Sequence, residues 1–406
     1  MHEGTAILLA LFVVFVAAKV GAGLAQQLKL PGVVGEIIAG CVVGPSALGW
    51  LGTDAIAAHS PLDVLAEIGV VLLLFSVGLE TRLEDLRKIG RSALAVGVCG
   101  VIVPFALGAL WAHGSGYDWI KSLFVASAFV ATSAGITARV LQELGVLDRI
   151  ESRVILGAAV IDDILAMLLL GVVTSLQGGG SVNFGGLALT LAQAIGFVAV
   201  IGLLGTRIMR RRGHWLDRPI NPLSPLSFAL AICLGLAWLS TQFGLAAIIG
   251  AFLAGMVASE MKQREELEHQ MQPLLALLTP FFFVVTGAKI DLAIFADGST
   301  LLALAVLTVI AIVSKLAGGF IGALGLGARG ATIVGTGMIP RGEVGIVIAS
   351  LGLTAGIFTN AIYAEIVAMS LLTSVVTPPA LAWLFRLPAS TANTAGNQPP
   401  APQKPR

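Results

Sequence analysis

Most of the chain consists of long apolar stretches separated by short charged or Gly/Pro-rich breaks. A stretch of about twenty apolar residues suits a helix that crosses the ~30 Å hydrocarbon layer of a bilayer. The pattern predicts thirteen such spans, at about 5–28, 31–50, 61–80, 91–113, 119–141, 153–176, 185–209, 223–241, 244–259, 270–289, 299–325, 329–352 and 360–385. Lysine and arginine are sorted between the connections. Arg82, Arg87, Lys88 and Arg91, then Arg139, Arg149 and Arg153, then Arg207, Arg210, Arg211, Arg212 and Arg218 all fall in odd-numbered loops. Lys29, Lys262, Arg264, Arg329 and the tail with Arg386, Lys404 and Arg406 lie on the same side, whereas the even-numbered connections hold only Lys121 and Lys289. Cationic loops are retained in the cytoplasm, so the N-terminus is expected outside, the C-terminus inside, and the number of spans odd.

Composition changes the picture only by naming the solvent. With 57% hydrophobic and 12% charged residues, the chain has too little polar surface to cover itself in water, and lipid must be its main surroundings. The expected class is an all-α integral membrane protein. A net charge of +1 argues against a nucleic-acid partner. Cys41, Cys99 and Cys233 sit in apolar runs without metal or disulfide spacing, and the five histidines sit in or beside predicted loops. The first apolar run lacks a basic n-region and a cleavage site and carries Lys19, which fits a retained helix. Residues 387–406 are rich in Pro, Ala, Thr and Asn and are expected to be a disordered cytoplasmic tail.

Once loop residues are set aside, Glu36, Asp162, Asp163, Lys315, Arg341 and Glu343 remain at membrane depth. A charge at the bilayer centre costs about 2.5–3.5 kcal/mol on insertion scales, so each must be paired, hydrated or useful. Glu67 and Glu365 lie nearer predicted span ends, as interfacial or structural groups. Asp162 and Asp163 are neighbours some ten residues into a span, and neighbours on a helix point about 100° apart. One can therefore face a fixed counter-charge and the other a water-filled cavity, which separates their proton affinities. Lys315 is the natural partner; a purely structural lysine is the alternative.

Two spans read as interrupted helices. The fifth carries Thr132, Ser133 and Gly135, and the twelfth carries Gly335, Gly337, Pro340, Gly342 and Gly345. Freed carbonyls and the Thr132 and Ser133 hydroxyls are hard oxygen donors for a small cation; Gly-rich packing faces of unbroken helices are the alternative. Spans five and twelve run in opposite directions, as do six and eleven, which is the layout of an inverted repeat with a midplane site. Glu343 and Arg341 would compensate the helix ends that meet there, a mainly structural role.

At this point the sequence resembles the monovalent cation:proton antiporters of the NapA type, with the Kef potassium-efflux transporters as relatives. The resemblance rests on PGVVGEIIAGCVVGPSALG, LLLFSVGLETRLEDL, ATSAGITARVLQELGVL, GAAVIDDILAMLLL, SKLAGGFIGALGLG and GMIPRGEVGIVIASLGL, and covers the chain up to its tail. It implies an NhaA/NapA-like fold within residues 1–386, in a bacterial cytoplasmic (inner) membrane. It also implies a homodimer with a dimerisation part (about 1–80 and 223–289), a core (about 91–176 and 299–386) and a linking helix (about 185–209), the core moving as an elevator. Asp163 would be the main ion-binding carboxylate, and Asp162 the one that exchanges partners with Lys315; Glu36 would be a supporting or funnel residue. The transported species would be sodium or lithium and protons, with no cofactor. The Kef branch usually has a neutral residue at the first acid position and a cytosolic nucleotide-binding domain. This chain has both acids and no such domain follows its last span, which favours electrogenic sodium/proton exchange over Kef-like potassium/proton exchange. A cation channel could use the same donors, but buried titratable groups suit alternating access better. An intramembrane aspartyl protease draws its two acids from separate helices, which adjacent acids do not match.

Overall fold

The computed structural model describes residues 3–81, 83–177, 184–212, 224–243, 245–290 and 298–386. All regular structure among them is helical. The helices are α1 (Glu3–Gln27), α2 (Gly32–Val43), α3 (Pro61–Glu80), α4 (Leu83–Gly114), α5 (Trp119–Ala128), α6 (Ala134–Glu143), α7 (Ile150–Gln177) and α8 (Phe184–Ala199). They continue as α9 (Thr206–Arg212), α10 (Ser224–Gln242), α11 (Ala247–Ala258), α12 (Arg264–Ala288), α13 (Gly298–Gly322), α14 (Gly327–Gly337), α15 (Glu343–Thr354) and α16 (Asn360–Arg386). The expected tail at 387–406 lies outside the described residues.

Eight helical stretches among the described residues are long and apolar enough to cross a membrane by themselves, and α2, α5 and α11 are shorter apolar helices. The thirteen predicted stretches are each helical over much of their length, but not each a single continuous span. The second ends early: α2 stops at Val43, where the Gly44 N–H turns back to the Gly40 carbonyl (2.9 Å), and the following segment carries Pro45 and a left-handed Gly49. Other helices run past the apolar window into polar sequence, as α12 does from Arg264. The start of α3 follows simple capping chemistry: Ser60 accepts from the Asp63 N–H, and Pro61 occupies a first-turn position that needs no donor.

The packing falls into two groups. In one, α1 packs on α2, α2 on α12, α3 on both α11 and α12, and α10 on α11. In the other, α4 packs on α5, α7 and α13, α13 on α14 and α16, and α15 on α5 and α16. The short α6 touches both, meeting α7 on one side and α2 and α3 on the other. α8 leans on α7 and runs through a π-helical turn, Val200–Gly205, into α9, and both the turn and α9 pack on α11.

Candidate functional site

Both predicted interruptions are present. The fifth apolar stretch is α5 and α6 separated by residues 129–133, and the twelfth is α14 and α15 separated by residues 338–342. The two irregular segments meet, satisfying main-chain groups that a helix would otherwise satisfy internally. The Ser133 N–H donates to the Pro340 carbonyl (2.8 Å), and the Thr137 hydroxyl donates to the Gly337 carbonyl (2.8 Å). The crossing needs glycine at 342, because a Cβ there would lie 2.7 Å from the Ser133 side chain.

Against this crossing, α7 presents Asp162 and α13 presents Lys315. Their Nζ–Oδ1 distance is 2.7 Å, and both side chains are completely buried. The second Asp162 oxygen accepts the Thr132 main-chain N–H (3.0 Å). Lys315 also donates to the Gly100 carbonyl (2.8 Å) and to the Val130 carbonyl in the α5–α6 interruption. Three N–H donors thus meet three acceptors, which is the saturation a buried ammonium requires if its desolvation, several kcal/mol per ion, is to be offset.

Asp163 turns the other way, as adjacent helical positions must. It is 3% exposed and borders a cavity of about 10 Å³ shared with Ala134, Leu156 and Val160 on one side and with Leu74 of α3 and Ile248, Ile249 and Phe252 of α11 on the other. It therefore stands where the two helix groups face each other. In place of a wide water-filled cavity, Asp163 meets a small pocket with room for about one water, narrowed by side chains of α3 and α11.

A family model described as "Sodium/hydrogen exchanger, transmembrane" matches residues 9–387. The chain belongs to the sodium/hydrogen exchanger family. It is 34% identical to the "High-affinity Na(+)/H(+) antiporter NhaS3" of Synechocystis sp., over 93% of this chain and 90% of that protein. It is 36% identical to the "Na(+)/H(+)-K(+) antiporter GerN" of Bacillus cereus, over 92% of this chain and 94% of that protein. The solved sodium proton antiporter MjNhaP1 of Methanocaldococcus jannaschii shares its fold, with a TM-score of 0.69 at 17% identity over 95% of this chain and 99% of that one. These relatives are transmembrane antiporters, so this exchanger-family chain is a transporter and not an enzyme.

Within the exchanger, the remaining predicted residues divide. Thr132 and Ser133 lie at the crossing, 4% and 5% exposed. The Thr132 hydroxyl reaches the Met338 carbonyl only at 3.5 Å, and the Ser133 hydroxyl finds no partner among the described residues. Arg341 is fully buried at the same crossing; its N–H donates to Thr373 and its carbonyl accepts from Ser374. Its guanidinium donates to the Ala311 carbonyl of α13 (3.0 Å), one turn before Lys315, instead of to the carbonyl end of a half-helix. The Glu343 side chain lies outside the described residues. Glu36 is buried in α2, and its charged surroundings are Arg139, Glu143 and Lys19, not Asp162 or Asp163. There Glu143 of α6 accepts the Gly32 N–H (2.8 Å) and pairs with Arg139 (2.9 Å), so Glu36 marks a contact between the helix groups. Of the groups that the sequence reading did not single out, Gly100 and Val130 act through main-chain carbonyls, and Ile248 and Phe252 act as apolar cover.

Proposed function

We propose that this protein is a secondary active sodium/proton antiporter, with lithium as a second cation, working as a homodimer with thirteen membrane crossings and inverted repeats in a bacterial inner membrane. The N-terminus faces outward and the C-terminus the cytoplasm. The observation that carries the proposal is the opposed orientation of Asp162 and Asp163. One carboxylate is neutralised by Lys315 beside two crossing interruptions, and the other stands at the face between helix groups. Asp163, with the Thr132 and Ser133 oxygens nearby at the crossing, offers hard donors to a small cation. The group containing α4, α7 and α13 is the moving core, the group containing α1–α3 and α10–α12 is the dimer scaffold, and α8 links them.

In the proton-carrying form, Asp163 is protonated and Asp162 is paired with charged Lys315, which sums to zero. When sodium engages both ionised carboxylates, Lys315 is left without a counter-charge in a dry site and releases its proton, because an unpaired buried charge is costly. The sodium form carries −1. Two protons have then left for one cation, and exchange is electrogenic.

A Kef-like potassium/proton exchange is the second reading, favoured by one observation: the similar GerN is named for both sodium and potassium. The test is dissipation of an imposed pH gradient in proteoliposomes, with sodium, lithium and potassium compared, with and without a potential clamp. Sodium and lithium are expected to dissipate it and potassium not. Dissipation by potassium alone would select the second reading, and unitary current steps in bilayer recordings would select a channel.

A further inference from the structure

Two of the three acceptors around the Lys315 ammonium are main-chain carbonyls. Val130 lies in the α5–α6 interruption, where helical bonding has lapsed. Gly100, in contrast, lies inside α4, which runs without interruption from Leu83 to Gly114. A carbonyl there is normally committed to the N–H four residues on. For Gly100 that residue is Pro104, whose nitrogen carries no hydrogen, so the bond cannot form.

We propose that Pro104 is a positioning residue for the exchange. By withholding one helix hydrogen bond, it dedicates the Gly100 carbonyl to the Lys315 ammonium, and so holds that group in place and sets how readily it gives up its proton when Asp162 turns to the cation. The proposal rests on the reading of Lys315 as the carrier of the second proton.

Two further observations carry it. The lysine is delivered by a close helix contact: a Cβ on Gly318 of α13 would lie 2.6 Å from the Cys99 carbonyl of α4. The amine consequently lies directly against the α4 main chain at Gly100, 2.8 Å from the carbonyl oxygen. The same device also occurs away from the site. Lys19, within the apolar run of α1, donates to the Ala276 carbonyl of α12 (3.0 Å), and Ala276 lies four residues before Pro280. Two lysines within apolar spans each use a carbonyl that a proline has released, which is what an ammonium in lipid needs when water is absent. The charged groups facing Lys315 are Asp162 and Asp163 from α7 and Arg341 from the α14–α15 interruption; α4 and the α5–α6 interruption supply carbonyls.

The test uses the full-length protein in proteoliposomes. Pro104→Ala supplies the missing N–H and returns the Gly100 carbonyl to its helix. Part of one charge-assisted hydrogen bond to the ammonium is lost, so the acid limb of sodium-driven exchange is expected to move to lower pH by about one unit. Exchange at alkaline pH should be retained. Placing the α-hydroxy analogue of alanine at position 104 removes both the N–H and the proline ring, and is expected to restore the original pH profile. An unmoved acid limb in folded Pro104→Ala, or inactivity at every pH, would overturn the proposal. So would an α-hydroxy variant that behaves like Pro104→Ala. If Pro104→Ala does not fold, the α-hydroxy variant decides alone: the original profile supports the proposal, and any other result overturns it. Absence of cation-driven proton flux in the unmodified protein would refute the antiporter reading itself, which is a separable outcome.

Discussion

Replacing Lys315 by glutamine separates a lysine that carries a proton from one that only neutralises Asp162. In Lys315→Gln, Asp162 loses an ammonium 2.7 Å away in a site with no solvent exposure and keeps the Thr132 N–H at 3.0 Å. Removing one partner of a buried pair costs about 3–5 kcal/mol, which should appear as lower thermal stability of the purified protein. The transport consequence follows from charge. The proposed cycle, with two protons against one sodium, moves one net charge, and a potential of about 100 mV contributes roughly 2.3 kcal/mol to it. With no pH gradient, that energy sustains a sodium gradient of about 50-fold. The variant keeps one proton carrier, so any surviving exchange is one-for-one, and the same potential sustains no gradient. The assay is sodium distribution in proteoliposomes with the potential fixed by potassium and valinomycin and equal pH on both sides. If Lys315→Gln still builds a sodium gradient from potential, Lys315 is a structural counter-ion and both protons ride on the aspartates.

Asp163→Asn is expected to abolish exchange while leaving a folded protein by size-exclusion chromatography, since the amide carries no titratable proton and the side chain lies at the edge of the core contacts; sodium-driven proton flux in that variant would remove Asp163 from its assigned role. In the proposed site protons and sodium compete for the same carboxylates, so raising sodium should displace the acid limb of activity toward lower pH, whereas a limb that stays fixed over a wide sodium range would point to a separate pH sensor. A Cβ at Gly135 of α6 would lie 2.8 Å from the Val70 side chain of α3. Oxidised cysteines at these two positions, after replacement of Cys41, Cys99 and Cys233, should therefore stop exchange until reduced, and undiminished flux in the crosslinked protein would rule out movement of α6 past α3.

What was legible in the sequence depended on whether a side chain recorded it. The apolar stretches are helical, eight of them among the described residues long and apolar enough to cross a membrane unaided, and the interruptions announced themselves through Thr132-Ser133 and the Gly/Pro run around Pro340. The approach of Lys315 to Asp162 could be anticipated because isolated opposite charges in lipid must find each other. The main-chain partners left no such mark. The Thr132 N–H, not its hydroxyl, holds Asp162, and Gly100 and Val130 hold Lys315 through carbonyls common to every residue type. The early end of α2 and the position of Glu36 against Arg139 and Glu143 depend on how distant helices pack, which hydropathy along one chain does not encode.

The adjacency of the two aspartates then has a mechanical meaning. Had the acids been one turn apart they would share a face, and both would look toward Lys315 or both toward α3 and α11. As neighbours on α7 they divide the two tasks while remaining on one rigid element. Asp163 reaches the boundary between the helix groups, next to Leu74 and Phe252, which the proposed cycle requires to open, while Asp162 stays bonded to Lys315 and to the α5–α6 interruption. A cation that draws both carboxylates together at the boundary must pull Asp162 from groups fixed within its own helix group. In the proposed cycle, occupancy at the interface is thereby tied to the charge of the pair behind it. On that reading, moving the core with both acids ionised, Lys315 charged and no cation bound would carry a net charge of −1 through a dry boundary, so the geometry proposed to bind the ion also opposes movement without one.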